Sequence, residues 1–172
     1  MKKIMFVCHG NICRSTMAEF VMKELVRKAG KTNSFLINSS GTSREEIGND
    51  THHGTKQKLR EMGIPFERRA AIQLTKADCD EYDYIVGMDY ANMQNILRIG
   101  GNSVQKKLHL LLEFAPPSYK GGVSSMYGKV KEIDDPWYTG NFDQTYNDVL
   151  AGCTGLLEKL SVSHEIRPQS GN

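Results

Sequence analysis

A chain of 172 residues is long enough for one well-buried hydrophobic core and too short for two ordinary domains, so we expect a single domain. Charged residues make up 24% of the sequence, but the formal net charge is only +2, which does not favour nucleic acid or an anionic membrane as a partner. No apolar run approaches the roughly 18 residues of a membrane span, and the N-terminal apolar stretch ends after about five, so we expect a soluble protein without a signal peptide.

Predicted strands and helices alternate along the chain. We expect strands at residues 3–8, 34–39, 82–88 and 107–112, and helices at residues 15–29, 52–62, 89–97 and 143–160. At the start of the first helix, Thr16 and Glu19 are spaced as a capping box. This alternation predicts an α/β fold, a single doubly wound domain with a four-stranded parallel sheet flanked by helices. Such sheets bind ligands at the carboxyl ends of their strands.

The four cysteines are widely spaced apart from the first pair: Cys8, Cys13, Cys79 and Cys153. Small secreted domains carry denser cysteine frameworks, so this spacing favours reduced thiols in a cytoplasmic protein.

Residues 7–15 read V-C-H-G-N-I-C-R-S and connect the first strand to the first helix. Such a loop points its backbone N–H groups inward and suits a tetrahedral oxyanion, while Gly10 and Asn11 allow tight curvature. Arg14 can hold two phosphate oxygens, and the same positive surroundings favour the thiolate of Cys8. Ser15 can donate a hydrogen bond to that thiolate. Taken alone, Cys8 would more simply be a small buried residue, but the combined pattern predicts a phosphate-binding loop with a cysteine nucleophile.

A second motif, E-I-D-D-P-W-Y-T-G-N at residues 132–141, is a candidate source of the proton that a departing alcohol needs. Asp134 or Asp135 precedes a proline, and an Asp-Pro segment can hold a carboxyl group over a site. Trp137 and Tyr138 can line a pocket for an aromatic ring. Without the first motif, a surface loop would be the simpler interpretation.

With these two motifs, the sequence resembles the low-molecular-weight protein tyrosine phosphatases. The resemblance spans most of the chain and includes S-S-G-T-S at 39–43, E-I-G-N at 46–49, G-I-P at 63–65, Q-L-T-K-A-D at 73–78 and D-Y-I-V-G-M-D at 83–89. It implies a flavodoxin-like domain of the phosphotyrosine phosphatase I type over residues 1–163, followed by a flexible tail at 164–172.

The resemblance also implies an activity, the hydrolysis of phosphotyrosine and small aryl phosphates through a phosphocysteine on Cys8. Arg14 would bind the phosphoryl group, and Asp135 would be the general acid and then the base. The implied supporting residues are Asn11, Ser15, Ser39 and Asp89, and Asp89 would order Arg14. The implied phosphate-binding loop comprises His9, Gly10, Asn11, Ile12, Cys13, Arg14 and Ser15, and the implied substrate-flanking residues are Trp137 and Tyr138. Cys13 has two interpretations, a residue that packs in the loop or a redox partner for Cys8.

The same resemblance implies neither a metal nor another cofactor, because arginine and backbone amides supply the positive charge. The implied partners are phosphotyrosine-containing proteins, not nucleic acid or a membrane. We expect a cytoplasmic protein that is a monomer or a weak homodimer.

Several positions depart from the family pattern. Thr16 stands where proline is usual, Ile72 where arginine is expected, and Arg44 and Glu45 where an aromatic residue often shapes the pocket wall. Residues 118–131 form an insertion.

Three other functions fit these residues less well. Arsenate reductases of this fold need two later cysteines close together, whereas Cys79 has no near neighbour in sequence. Protein-arginine phosphatases carry threonine where Ile12 stands, which favours phosphotyrosine here. A phosphate-binding module without turnover would not need all of Cys8, Arg14 and Asp135.

The adjacent pair His52 and His53 is expected to be a solvated helix start with its side chains pointing apart, not a metal site.

Overall fold

The structure is a computed structural model that describes residues 1–165. Its strands are β1 (Lys2–Cys8), β2 (Phe35–Gly41), β3 (Tyr84–Gly87) and β4 (Leu108–Leu110). Its α-helices are α1 (Arg14–Lys28), α2 (His53–Glu61), α3 (Lys76–Glu81), α4 (Tyr90–Gly100), α5 (Pro136–Thr139) and α6 (Phe142–Glu165). The first two residues of the predicted tail, 164 and 165, belong to α6, and residues 166–172 lie outside the described residues.

The four strands form one parallel sheet in the order β2-β1-β3-β4. The predicted doubly wound α/β fold is therefore confirmed. Because β2 and β3 flank β1 on opposite sides, the strand order reverses at β1, and a ligand crevice is expected beyond the carboxyl end of this strand. Cys8 is the last residue of β1.

Side chains of β1 alternate between the two faces of the sheet and help to build two cores. Ile4 and Phe6 belong to the larger core, which also contains residues of α1 and α6. Met5 and Val7 belong to the second core with Ile96 of α4. Burial on both faces explains why β1 is apolar from Ile4 to Cys8.

The first helix begins earlier than predicted, and the predicted capping box is wrong. Its N-cap is Cys13, and no side chain caps it, because the loop after β1 runs directly into the helix. The Thr16 hydroxyl donates to the Cys13 carbonyl at 3.1 Å. The Glu19 carboxylate is buried beneath the loop, where it accepts a 2.6 Å hydrogen bond from Ser39.

Two short helices were not expected from periodicity. Helix α3 is set by a capping box in which Thr75 Oγ1 accepts from the Asp78 amide at 3.1 Å and the Asp78 carboxylate accepts from the Thr75 amide at 2.9 Å. Helix α5 lies between the predicted strand at 107–112 and the predicted helix at 143–160, with Pro136 at its first turn and Asp135 as its N-cap. It sets the position of the carboxylate discussed below.

Candidate active site

The loop between β1 and α1 is shaped around Asn11. Among the non-glycine residues that the structure describes, Asn11 alone has a positive φ, of 60°. Its side chain is buried, and its amide donates to Ser15 Oγ at 2.9 Å and to Ser39 Oγ at 3.0 Å. Its Oδ1 accepts from Arg69 Nη2 at 3.0 Å and from the Ile72 amide at 3.1 Å. These four hydrogen bonds hold the loop in its left-handed bend.

Cys8 lies at the start of this loop, almost fully buried, with Sγ 3.0 Å from Ser15 Oγ. Because Ser15 accepts from the Asn11 amide, its own hydroxyl hydrogen is available to the sulfur. This arrangement suits a thiolate that needs a hydrogen-bond donor.

Arg14 is buried beside Cys8 and bonded on two sides. Its Nη1 donates to Asp89 Oδ2 at 2.6 Å and to the Ile133 carbonyl at 2.9 Å, and its Nη2 donates to Asp135 Oδ2 at 3.2 Å. Burial opposes its charge, but Cys8, Asp89 and Asp135 together raise the pKa of Arg14. Asp89 therefore orders the guanidinium.

One guanidinium atom has no hydrogen-bond partner among residues 1–165. Arg14 is 2% exposed, and its buried Nε bonds to none of these residues. Such a donor costs about 1–3 kcal/mol to leave unpaired, and the oxygen of a bound anion would satisfy it.

Of the two adjacent aspartates, Asp135 lines the pocket with Cys8 and Asp134 does not. As the N-cap of α5, it accepts from the Trp137 amide through Oδ1 at 3.1 Å and faces Arg14 through Oδ2. Asp134 accepts from the Asp135 amide at 3.1 Å. The cap thus fixes one carboxylate oxygen and leaves the other in the pocket.

The pocket above Cys8 has one aromatic wall, formed by Trp137 and Tyr138, which are 55% and 83% exposed. Glu45 and Glu46 also line it. A larger groove between α6 and the segment 114–121 contains neither a cysteine nor any of the candidate catalytic residues. The chemistry therefore identifies the smaller pocket as the candidate active site.

Two residues beneath the loop were missed by the sequence reasoning. Arg69 donates to Asn11 and to the Ser39 carbonyl at 3.2 Å, and its Nε lies 3.6 Å from the buried carboxylate of Glu19. The spacing of Glu19 from Thr16 predicts a cap residue, and Arg69 lies in an irregular segment without a periodic pattern. No sequence signal identifies Arg69, whereas a glutamate on the buried side of α1 needs a partner.

The prediction that the His52 and His53 side chains point apart is wrong. Their rings stack with centroids 4.2 Å apart, because His52 is the N-cap of α2 and lies outside the regular helix. The His52 ring also stacks on Phe142 at 5.3 Å and meets Trp137 edge-on at 5.6 Å. Burial, and then the neighbouring His53, lowers the pKa of His52.

Within residues 1–165, no group of three or more potential ligand side chains is arranged to hold a metal ion. In the same part of the chain, no helix is long and apolar enough to cross a membrane.

Cys13 lines the same pocket as Cys8 but is only 4% exposed. Burial, and then the nearby Cys8, raises the pKa of Cys13. All four cysteines are free thiols in the structure.

The doubly wound fold and the C-x5-R-S loop after its first strand define an α/β phosphatase. The family model of the low molecular weight phosphotyrosine protein phosphatase matches residues 3–165. The low molecular weight protein-tyrosine-phosphatase YfkJ of Bacillus subtilis is 32% identical over 96% of this chain and its own full length. PtpA of Staphylococcus aureus, with the same description, is 37% identical over 93% of this chain and 94% of its own.

Solved structures agree with these relatives. The crystal structure of YfkJ from Bacillus subtilis matches with a TM-score of 0.84 at 33% identity, over 97% of this chain and 98% of that one. The low molecular weight protein tyrosine phosphatase SP-PTP of Streptococcus pyogenes matches with a TM-score of 0.79 at 36% identity, over 95% and 99%. The chain belongs to the low molecular weight phosphotyrosine protein phosphatase family, and it is a phosphatase, as the resemblance implied.

Proposed function

We propose that this protein hydrolyses phosphotyrosine in proteins, and small aryl phosphates, through a phosphocysteine on Cys8. The observation that carries the proposal is the buried Arg14, which lies beside Cys8, contacts Asp135 and keeps an unpaired Nε. Nucleophile, anion-binding group and acid therefore meet in one pocket, although 121 positions separate Arg14 from Asp135 in sequence.

In the first step, the phosphoryl group occupies the loop and accepts hydrogen bonds from Arg14 and from backbone N–H groups. Cys8 Sγ attacks phosphorus, the bond from phosphorus to the phenolic oxygen breaks, and protonated Asp135 gives its proton to that oxygen. The alcohol leaves, and the phosphoryl group remains on the sulfur.

In the second step, the Asp135 carboxylate takes a proton from water while the water oxygen attacks phosphorus. The bond between sulfur and phosphorus breaks, inorganic phosphate leaves, and Cys8 returns to the thiolate. The hydrogen bond from Ser15 stabilises the sulfur as a leaving group.

Two features of the pocket support an aromatic substrate. Trp137 and Tyr138 can flank a phenyl ring, and the buried Ile12 adds apolar surface to the lining. Comparing phosphotyrosine, phosphoarginine and arsenate as substrates tests this choice, and faster turnover of phosphoarginine or arsenate would overturn it.

A cytoplasmic location and a monomeric or weakly dimeric state stay predictions.

Hydrolysis of p-nitrophenyl phosphate by point variants tests the assigned roles. We expect no turnover by Cys8→Ser, and a loss of about 10²- to 10⁴-fold in kcat for Asp135→Ala. Asp134→Ala is the matched control, since it removes the neighbouring carboxylate, which does not line the pocket, and it should retain most activity. In Asp135→Ala, the loss in kcat/KM, which reports the first step, should be larger for phenyl phosphate than for p-nitrophenyl phosphate, because the phenyl phosphate leaving group needs the proton more. Full activity in Cys8→Ser contradicts the mechanism, and equal losses in kcat/KM for both substrates contradict the general acid.

A further inference from the structure

Two glutamates lie on the wall of the pocket outside the aromatic pair. Glu45 and Glu46 come from the loop that follows β2, and both line the pocket that holds Cys8. The Glu45 side chain is 71% exposed and lies 3.1 Å from His9 Nε2. Glu46 accepts from the Asn49 side-chain amide at 2.7 Å. Both carboxylates are thus held on the rim by short hydrogen bonds.

Contact with the phosphate-binding loop fixes the position of Glu46 more closely. A Cβ atom built on Gly10 would lie only 3.1 Å from Glu46 Cγ, so the glutamate stem packs directly on the loop. The acidic group is therefore held next to the place where the phosphoryl group binds.

The cations near the rim do not neutralise these two carboxylates. Arg44, the preceding residue in the chain, donates to Gln73 at 3.0 Å and is not part of the pocket lining. Arg14 is buried and already pairs with Asp89 and Asp135. Within residues 1–165, neither Glu45 nor Glu46 pairs with a lysine or an arginine. The formal net charge of the chain is +2, so the acidic rim is a local feature.

We propose that Glu45 and Glu46 are specificity-determining residues that select phosphotyrosines flanked by lysine or arginine. The inference rests on the proposed function, since it places the phosphate on the loop and the ring against Trp137 and Tyr138. The peptide residues next to the tyrosine then extend over the rim, where a cationic side chain meets two carboxylates and an acidic one is repelled.

The size of the effect follows from the exposure of the rim. Exposed ion pairs are weak and screened by salt, so two of them predict a preference of about 3- to 10-fold in kcat/KM. The preference should shrink between about 0.05 M and 0.5 M NaCl, because the Debye length shortens and salt screens the attraction between the two glutamates and the cationic side chain of the peptide.

The test uses two phosphotyrosine peptides that differ only in their flanking residues, lysine in one and glutamate in the other. The readout is the ratio of their kcat/KM values within each variant, which cancels any change in the chemical step. The wild type should favour the lysine peptide, Glu45→Gln with Glu46→Gln should bring the ratio close to 1, and Glu45→Lys with Glu46→Lys should invert it.

Glu81→Gln is the matched control, because it removes the same charge beside Lys3, at the other end of β1 from Cys8. Its ratio should equal that of the wild type. A wild-type ratio near 1, or a ratio unchanged in the double glutamine variant, would overturn the inference while the proposed function stands. Failure to hydrolyse either peptide would overturn the proposed function itself.

Discussion

Replacing Asn11 tests whether the phosphate-binding loop is held by one side chain. Asn11→Ala removes four hydrogen bonds of 2.9–3.1 Å from a buried side chain, to Ser15, Ser39, Arg69 and the Ile72 amide. At about 0.5–1.5 kcal/mol each, their loss predicts a fall of roughly 2–6 kcal/mol in the free energy of unfolding. The total stability of a domain is about 5–15 kcal/mol, so this is a large fraction.

Asn11→Gly separates the hydrogen bonds from the backbone conformation. Glycine loses the same four bonds but adopts the φ of 60° without the steric cost that alanine pays. We expect Asn11→Gly to be about 1 kcal/mol more stable than Asn11→Ala, even though glycine also gains freedom in the unfolded chain.

Urea unfolding of the wild type and both variants measures these differences through the midpoint and the slope. Hydrolysis of p-nitrophenyl phosphate should fall in both variants, because Ser15 loses the donor that orients its hydroxyl toward Cys8. A loss below about 1 kcal/mol in Asn11→Ala would refute the hydrogen-bond reasoning. Equal stability of the two variants would refute the conformational reasoning.

Three further predictions follow from the site. Asp89→Asn weakens the 2.6 Å charge-assisted bond to Arg14 but keeps an N-cap oxygen, so kcat/KM should fall roughly 10- to 100-fold and the free energy of unfolding should fall by about 1–3 kcal/mol. An unchanged kcat/KM argues against ordering of Arg14 by Asp89. The pKa of His52 is lower in the folded chain than in the unfolded chain, so the unfolded chain binds the proton first and the free energy of unfolding falls as pH drops below about 6.5. His52→Gln should reduce this fall between about pH 7 and 5. Equal dependence of the free energy of unfolding on pH in the wild type and the variant contradicts this. Peroxide treatment followed by thiol mapping distinguishes the two interpretations of Cys13. If Cys13 is a redox partner, peroxide oxidises Cys8 to a sulfenic acid and the Cys13 thiol displaces water to form a disulfide; inactivation with Cys13 still free contradicts this role.

The sequence was sufficient to predict the parallel sheet and the loop between β1 and α1. Residues 4–8 are apolar because this part of β1 is covered on both faces, and the C-x5-R-S spacing encodes the loop locally. The structure also shows which neighbouring carboxylate faces the pocket: the cap of α5 turns Asp135 inward. From the residue pattern alone, either Asp134 or Asp135 could be the general acid, and the family resemblance favours Asp135.

The rest depended on contacts between distant segments. Glu19 looked like a helix cap because its spacing from Thr16 fits one, but the loop fixes the helix start at Arg14 and places Glu19 under Ser39. Arg69 comes from an irregular segment that only the folded chain brings to Asn11. Spacing rules describe local structure, so they cannot identify such partners.

The central claim is a covalent phosphoryl group on Cys8, and a rapid-quench experiment tests it most directly. The Asp135→Asn variant lacks the carboxylate that takes a proton from water, so hydrolysis of the phosphocysteine should become slow. Formation of the phosphocysteine should continue, because nitrophenolate leaves without a proton. Peptide mass spectrometry of the quenched variant with p-nitrophenyl phosphate should find one phosphoryl group on the peptide that carries Cys8. Steady release of nitrophenol with no phosphoryl group on Cys8, or with the group on another residue, would contradict the account.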